Sequence, residues 1–163
     1  MPVTDVQVDT EALRVTALAD VAAPLERVWQ VYADPRQLER VWGPPSCPAS
    51  VVEHDLQPGG AVTYVMTGPD GTRTGGRWDV VEVIAPTRLE FTDRFADPET
   101  FEGDDEAPAA SWAYTFAPHD HGTRVHAVGT YGSADDLQQV IGRGVVGSTR
   151  AAMAQIDELL AHD

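Results

Sequence analysis

Apolar side chains recur at every second position along residues 13–21, which is typical of a strand with one buried face. Six more segments with strand-like composition follow, separated by turn signals such as Gly68-Pro69-Asp70-Gly71. We place these segments at 51–56, 61–67, 77–84, 87–95, 111–116 and 123–131. Because these six strands follow one another along the chain, we expect them to pair as antiparallel neighbours.

Apolar residues return at helical spacing in three other segments. A short helix follows Pro24, and a second follows Asp34-Pro35, where the aspartate can cap and proline suits the first helical position. Ser133 can cap a third helix, for which the pattern predicts about 25 residues or more. Its apolar stripe consists of Leu137, Ile141, Val145, Ala152, Ile156 and Leu159.

This order of elements predicts an α+β fold of the helix-grip kind. We expect a curved antiparallel sheet of about six or seven strands, with two short helices and a long C-terminal helix that closes a cavity. The length fits one such domain over residues 13–163. Residues 1–12 are polar, and we expect a loose N-terminal segment there.

Several motifs resemble those of a known family. The run Ala23-Pro24-Leu25-Glu26-Arg27-Val28-Trp29 is similar to the opening "A-P-x-x-x-V-W" of the activator of heat-shock protein 90 ATPase-like family, in the START-like (SRPBCC) superfamily. Asp34-Pro35, Trp42-Gly43-Pro44 and the stretch 55–60 also match its pattern. The resemblance covers about residues 13–160 and implies the same helix-grip fold.

The chain departs from the family pattern at three positions. Val41 replaces the first tryptophan of a Trp-Trp pair, Gln57 replaces an arginine, and Ser148 stands where the family often has tryptophan. The eukaryotic chaperone activators of the family carry a further N-terminal domain that contributes to chaperone binding. The resemblance therefore implies chaperone activation only weakly for this chain.

The charge of the chain disfavours two classes of partner. Its formal net charge is -15, with 26 acidic residues against 11 arginines and no lysine. Such a surface repels the phosphates of nucleic acid and anionic lipid, so we expect neither partner. The single cysteine, Cys47, the absence of a signal-peptide pattern and the absence of a long apolar run favour a cytoplasmic protein.

The centre of the last helix is unusual because its stripe contains small residues where a core helix normally carries leucine or isoleucine. Two interpretations are open: the helix lies close on the sheet, or the small residues leave volume for a small hydrophobic or amphipathic molecule. In the second case the candidate ligand-binding residues on the helix are Gly144, Ser148, Thr149 and Ala152. Candidates elsewhere, which share the inward parity of their segments, are Trp42, Tyr64, Met66, Trp78, Phe91, Trp112 and Tyr114.

Catalytic candidates are few. Asp93 shares the inward parity of its strand, where a carboxylate is costly unless it is paired. The simpler alternatives are that the strand is already leaving the core at that point, or that Arg94 or another arginine pairs with a neighbour. His54 could also point inward, although a single histidine on an apolar face is usually a hydrogen-bonded core residue. The sequence 142–147 matches G-x-G-x-x-G, but it lies in a predicted helix, so we reject dinucleotide binding. No nucleophile–base pair, phosphate loop, metal-ligand spacing or other cofactor motif is present.

Three functions remain open at this point. The leading one is non-catalytic binding of a small hydrophobic or amphipathic molecule in the cavity between helix and sheet, with no cofactor. The second is an enzyme similar to the aromatase/cyclases of the superfamily, with Asp93, His54 or Tyr64 as acid–base groups. The third is a protein-interaction module akin to chaperone co-regulators, with a protein partner or a second copy of the chain bound at its surface.

Overall fold

An open antiparallel sheet of eight strands forms one layer of the structure, a computed structural model that describes residues 4–104 and 107–161. The strands lie in the order β1-β2-β8-β7-β6-β5-β4-β3. Their bounds are β1 Thr4–Asp9, β2 Arg14–Val21, β3 Ala49–His54, β4 Ala61–Thr67, β5 Arg73–Ile84, β6 Arg88–Ala96, β7 Ala109–His119 and β8 Gly122–Tyr131. The meander from β3 to β8 agrees with the predicted antiparallel neighbours, and the fold class is α+β as expected.

The N-terminal segment was predicted to be loose, and this prediction is wrong for the residues that the structure describes. Strand β1 pairs with β2, with Val6 opposite Ala17, and adds an eighth strand at the sheet edge. Val6 is buried and Val8 packs partly against the core. Two apolar residues are too short a pattern to predict a strand. Strand β1 forms because the open edge of β2 offers backbone groups with which it can pair. Residues 1–3 lie outside the described residues.

One face of the sheet carries the core. The alternation in β2 buries Val15, Ala17, Ala19 and Val21, as the period-two pattern predicts. Strand β2 begins at Arg14, because Leu13 adopts a φ of 58° in the preceding turn. The same alternation on β7 and β8 turns inward the side chains of Ala110, Trp112, Tyr114, Phe116, Val125, Ala127 and Tyr131.

Two short helices cross this face between β2 and β3: α1 Leu25–Ala33 and α2 Pro35–Trp42. The cap predicted at their junction is present, since Asp34 Oδ1 accepts a hydrogen bond of 2.9 Å from the Arg36 N–H. Helix α1 contacts β7 through Trp29, whose ring meets the Phe116 ring edge-on at 5.4 Å. Both helices are therefore fixed on the buried face, and Trp42 ends α2 above the middle of the sheet.

The predicted long C-terminal helix is present as α4 Val145–Leu160. The prediction that it runs without interruption from Ser133 is wrong, because a separate helix, α3 Ala134–Gly142, precedes it. The Ser133 cap is present, with its hydroxyl accepting a hydrogen bond of 3.1 Å from the Asp136 N–H. The break occurs at Gly144, which has a φ of 84° in the left-handed region. Three glycines at positions 142, 144 and 147 weaken the helix enough for the chain to turn there.

The break divides the predicted apolar stripe. Leu137, Ala152, Ile156 and Leu159 are buried, whereas Ile141 and Val145, on either side of the break, are only half-buried. Helix α4 packs against α2, β1 and β2, and the Gln155 side chain donates a hydrogen bond of 2.6 Å to the Gly43 carbonyl at the end of α2. In the described ranges no helix is long and apolar enough to cross a membrane.

Candidate functional site

A cavity of about 380 Å³ lies between the sheet and the C-terminal helices. Its floor comes from the five strands β4 to β8, and its roof comes from α3, α4 and their junction. Tyr32 of α1 and Trp42 of α2 complete the wall. Aromatic and aliphatic side chains dominate this lining, with a few polar groups among them, which is the usual composition of a small-molecule site.

Most of the candidate ligand-binding residues line this cavity. The floor and walls include Trp42, Tyr64, Met66, Trp112 and Tyr114, and the roof includes Ser148, Thr149 and Ala152. Side-chain parity was sufficient to place the strand residues, because each belongs to the inward set of its strand. Whether these residues bind a ligand stays a prediction.

Three candidates do not lie on the cavity wall. Trp78 and Phe91 stack on each other with ring centroids 3.8 Å apart, and both are fully buried. The Trp42 ring packs edge-on against Trp78 at 4.8 Å and shields the pair from the cavity. Gly144 is exposed at the break between α3 and α4, so it forms no part of the roof. The parity of the sequence identified the inward face of each strand. It could not show which inward side chains another element would cover.

Two glycines let aromatic rings of the floor lie across neighbouring strands. A Cβ atom at Gly76 would overlap the Tyr64 ring, and one at Gly129 would overlap the Trp112 ring. Gly76 is the register partner of Tyr64, and Gly129 is that of Trp112. The close approach requires glycine at both positions. The two rings therefore form a fixed part of the cavity surface.

Asp93 brings a carboxyl group to the cavity. The Tyr64 hydroxyl donates a hydrogen bond of 2.7 Å to its Oδ1 atom, and Asp93 also lines the cavity. Burial raises the pKa of Asp93 to about 7, and the hydrogen bond from Tyr64 only partly opposes this rise. The Asp93 residue as a whole is half-buried. Asp93 therefore does not mark the point where β6 leaves the core, and its partner is a tyrosine and not an arginine.

Three tyrosines share the environment of Asp93. Burial, together with the nearby Asp93 charge, raises the pKa of Tyr64 well above its ordinary value, and a hydrogen bond with the Trp42 side chain works against this rise. Burial and nearby charges also raise the pKa of Tyr114, and burial with the Asp93 charge raises that of Tyr131 to about 12. All three phenols are neutral at physiological pH. They can donate or accept hydrogen bonds without adding charge to the cavity.

His54 lies outside the cavity lining. Its Nε2 atom is 3.0 Å from the Tyr32 carbonyl oxygen, at the end of β3. The simpler interpretation of a hydrogen-bonded histidine therefore applies, and His54 cannot act on a molecule in the cavity from this position. Of the acid–base candidates, only Asp93 and Tyr64 are brought together.

The cavity opens at the junction of α3 and α4. Arg143 and Ser148 line it and are also exposed to solvent. The Arg143 guanidinium lies 5.0 Å from the centroid of the Phe95 ring, in a cation–π contact across the opening. Because the helix break positions Arg143, the glycines that interrupt the helix also shape the entrance.

Several lining residues were missed by the sequence analysis. Tyr131 follows Ala127 and Gly129 on the inward face of β8, so parity could have found it. Val140 lies three residues after Leu137 on the buried side of α3, and helical spacing could likewise have found it. Tyr32 and Arg143 depend on how α1 and the helix break sit above the sheet, and no sequence signal reports that placement.

The acidic connection between β6 and β7 has no metal-binding geometry in its described part. Asp97 Oδ1 instead accepts hydrogen bonds from the Glu99 and Thr100 N–H groups, which forms a local turn. Asp105 and Glu106 lie outside the described residues. Among the residues that the structure describes, no group of three or more histidine, cysteine or acidic side chains could hold a metal ion.

The family model described as "Activator of Hsp90 ATPase homolog 1-like protein" matches residues 22–161. The chain belongs to this family. A crystal structure of protein Ms6760 from Mycobacterium smegmatis is 54% identical, covers 98% of this chain and 97% of its own, and superposes with a TM-score of 0.89. No protein of curated function matches the sequence.

Two other solved structures are also similar to this chain. A solution structure of a protein from Arthrobacter aurescens is 38% identical over 98% of this chain and 92% of its own, with a TM-score of 0.91. A crystal structure of a protein from Rhodobacter sphaeroides, 19% identical over 98% of this chain and 99% of its own with a TM-score of 0.83, shows the shared fold alone.

Two of the three departures from the family pattern lie on the cavity. Val41 and Ser148, the two positions at which the resemblance implies a tryptophan in the family, both line it. Valine and serine are much smaller than tryptophan, so both exchanges leave space at the wall. Gln57, the third departure, lies in the connection between β3 and β4, away from the lining.

Proposed function

We propose that this protein binds a small hydrophobic or amphipathic molecule in the cavity between the sheet and α4, without chemical conversion of that molecule. The observation that carries the proposal is the cavity of about 380 Å³, whose wall is aromatic and aliphatic and whose entrance lies at the helix break. Interiors of folded proteins are normally packed with few voids larger than a water molecule. A space of this size in an otherwise packed core is best explained by an occupant.

The other two functions have less support. An acid–base enzyme would have to work with Asp93 and Tyr64 alone, since His54 lies outside the cavity. An interaction module would need a contiguous apolar patch on the surface. The large exposed apolar side chains are Val52 on β3 and Val81 and Ile84 on β5, and strand β4 separates these two strands.

Filling the cavity tests the proposal. Thr149 lines the roof, so the substitution Thr149→Trp places an indole where the ligand would lie. A ligand at about one hundred times its dissociation constant stabilises a protein by about 2.7 kcal/mol, which corresponds to a melting shift of several degrees. With 4-phenylbutanol as an uncharged probe, we expect this shift in the unsubstituted protein and its loss in Thr149→Trp.

Arg150→Trp is the matched control, because it adds the same ring at the next position, which is exposed and does not line the cavity. This variant should keep the probe-dependent shift. A mass spectrum of small molecules extracted from purified protein should likewise contain a compound that Thr149→Trp lacks. The proposal would be contradicted if the probe raised the melting temperature of both tryptophan variants equally. It would also be contradicted if the probe shifted none of the three proteins, the unsubstituted chain included.

A further inference from the structure

The cavity contains one acidic side chain among its described lining residues, and this side chain is Asp93. Its Oδ1 atom accepts the hydrogen bond from Tyr64, and the half-buried residue lines the cavity. A carboxylate removed from water is costly unless a cation or several hydrogen bonds compensate it. One tyrosine hydroxyl supplies only part of that compensation.

Two arginines also line the cavity, but both have partners elsewhere. Arg94 follows Asp93 on β6, so its side chain leaves the strand on the opposite face, where its Nε atom is 3.5 Å from Asp79 Oδ2. Arg143 stacks on Phe95 at the entrance. Among the contacts of the described residues, the partner of the Asp93 carboxyl group is the Tyr64 hydroxyl, and neither arginine is paired with it. When Asp93 is ionised, the cavity therefore holds an anionic group for which the contacts of the described residues give no counter-ion.

Aromatic rings surround the same space. Tyr64 and Trp112 lie across the floor, and Trp42 and Tyr114 stand beside them with their ring centroids 6.4 Å apart. Tyr114 and Tyr131 are close enough for the Asp93 charge to raise their pKa values. The faces of tyrosine and tryptophan rings attract cations, and the attraction is stronger where water is excluded.

We infer that the molecule bound in the cavity is a hydrophobic amine, whose ammonium group pairs with Asp93 among the aromatic rings while its apolar part fills the remaining space. This inference rests on the proposed function and specifies the chemical class of its ligand. The ammonium provides the missing counter-ion, and the rings of Tyr64, Trp112 and Tyr114 provide cation–π contacts.

The charges of the whole protein favour the same class. With a net charge of -15, the surface attracts cations and repels organic acids before they reach the entrance. A neutral alcohol could accept or donate a hydrogen bond at Asp93, but it would gain nothing from the ring faces or from the net charge. An amine therefore gains from the ring faces and from the net charge, two features that an alcohol of equal size does not use.

Binding of an amine should depend on pH through Asp93. Because burial raises the pKa of this carboxyl group to about 7, it is ionised above neutral pH and protonated in acid. The other residues of titratable or charged type that line the cavity are four tyrosines, the half-buried Cys47 and two arginines. They are Tyr32, Tyr64, Tyr114, Tyr131, Cys47, Arg94 and Arg143.

Calorimetric titration with three probes of equal carbon skeleton tests the inference: 4-phenylbutylamine, 4-phenylbutanol and 4-phenylbutyrate. Near pH 8.5 we expect the amine to bind about tenfold or more tightly than the alcohol, which is the gain typical of a desolvated ammonium with a carboxylate and aromatic faces. The butyrate should bind weakest. The advantage of the amine should shrink as the pH falls towards about 5.5, because the carboxyl group is then protonated.

The variant Asp93→Asn should remove the preference for the amine near pH 8.5 while it keeps binding of the alcohol, because the amide retains the shape without the charge. Glu90→Gln is the matched control, since Glu90 lies on β6 with the opposite parity and pairs with Arg88 at 3.1 Å. This control should keep the full preference. The pH series on the unsubstituted protein tests the same point if Asp93→Asn does not fold.

Each other outcome counts against the inference in a distinguishable way. Equal binding of amine and alcohol, or a preference for the butyrate, overturns the amine inference and leaves the cavity as a binding site for other molecules. If Asp93→Asn still prefers the amine, the preference comes from the surface charge of the protein and not from Asp93. This result would also overturn the amine inference. Binding of none of the three probes overturns the proposed function together with this inference.

Discussion

The C-terminal half of α4 packs tightly on the fold, whereas its N-terminal half borders the cavity. Ile156 and Leu159 are buried and do not line the cavity, and Ile156 is completely inaccessible. Seven to nine residues before Ile156, Gly147 and Ser148 are exposed and Thr149 is half-buried. Both halves belong to one helix with one orientation, so the size of the side chains decides which half closes on its neighbours. Large residues produce core, and small ones leave the volume in which we place a ligand.

Removal of a large residue from the tight half should have the greatest effect. Ile156→Ala deletes three carbons from a fully buried position, and we expect the free energy of unfolding to fall by about 2–5 kcal/mol. Chemical denaturation measures the change as a lower midpoint at unchanged slope.

A substitution in the N-terminal half of α4, which borders the cavity, provides the comparison with Ile156→Ala. Ser148→Ala changes an exposed residue at the entrance, and we expect an effect within about 0.5 kcal/mol. Similar losses for both variants would mean that α4 is packed uniformly, and the contrast between its two halves would be wrong.

Patterns of apolar residues predicted most of the fold. Parity placed the inward faces of β2, β4, β7 and β8, and the Asp34 and Ser133 caps were found where their side chains suggested. These features depend on local sequence, which is why they could be predicted. Strand β1 was missed because its stability comes from pairing with β2, a contact that its own two apolar residues hardly indicate.

The cavity was only partly predictable for a similar reason. The small residues Ser148, Thr149 and Ala152 indicated missing volume under the last helix, and all three line it. Parity could not show that Trp42, from a different element, would cover Trp78 and Phe91. Nor could it choose among the alternatives for Asp93, because its partner Tyr64 is 29 residues away along the chain.

On the cavity side, the ionisation of Asp93 should affect the stability of the protein. Its pKa is raised from 3.8 to about 7 in the folded protein, so the native state holds a proton that the unfolded chain releases near pH 4. The stability that this proton contributes is complete below about pH 4 and is lost as the pH rises to about 7. Asp93→Asn cannot ionise and avoids this loss. Near pH 8 we expect the variant to be more stable than the unsubstituted protein by about 1–3 kcal/mol, allowing for screening by water in the cavity.

Urea denaturation near pH 4.5 and near pH 8 measures this dependence. The difference between the two proteins should be small at the lower pH, since both then carry a neutral side chain hydrogen-bonded to Tyr64. A variant that is less stable at both pH values would show that the carboxylate is already compensated in the folded state.

The helix break that separates the two regions can be tested at Gly144. In a continuous helix, as the sequence pattern predicts, Gly144→Ala would stabilise the protein by about 1 kcal/mol, because alanine favours the helix more than glycine does. In the structure Gly144 has a φ of 84°, where an alanine is strained even though no atom lies within 4 Å of its Cβ position. We therefore expect a loss of about 1 kcal/mol in the free energy of unfolding.

Gly147→Ala is the matched control, since Gly147 is exposed inside α4 with the same open space around it, and there alanine should stabilise. Opposite signs at two glycines three residues apart would locate the break at Gly144, whereas stabilisation at both would restore a single helix over the cavity and require a different entrance.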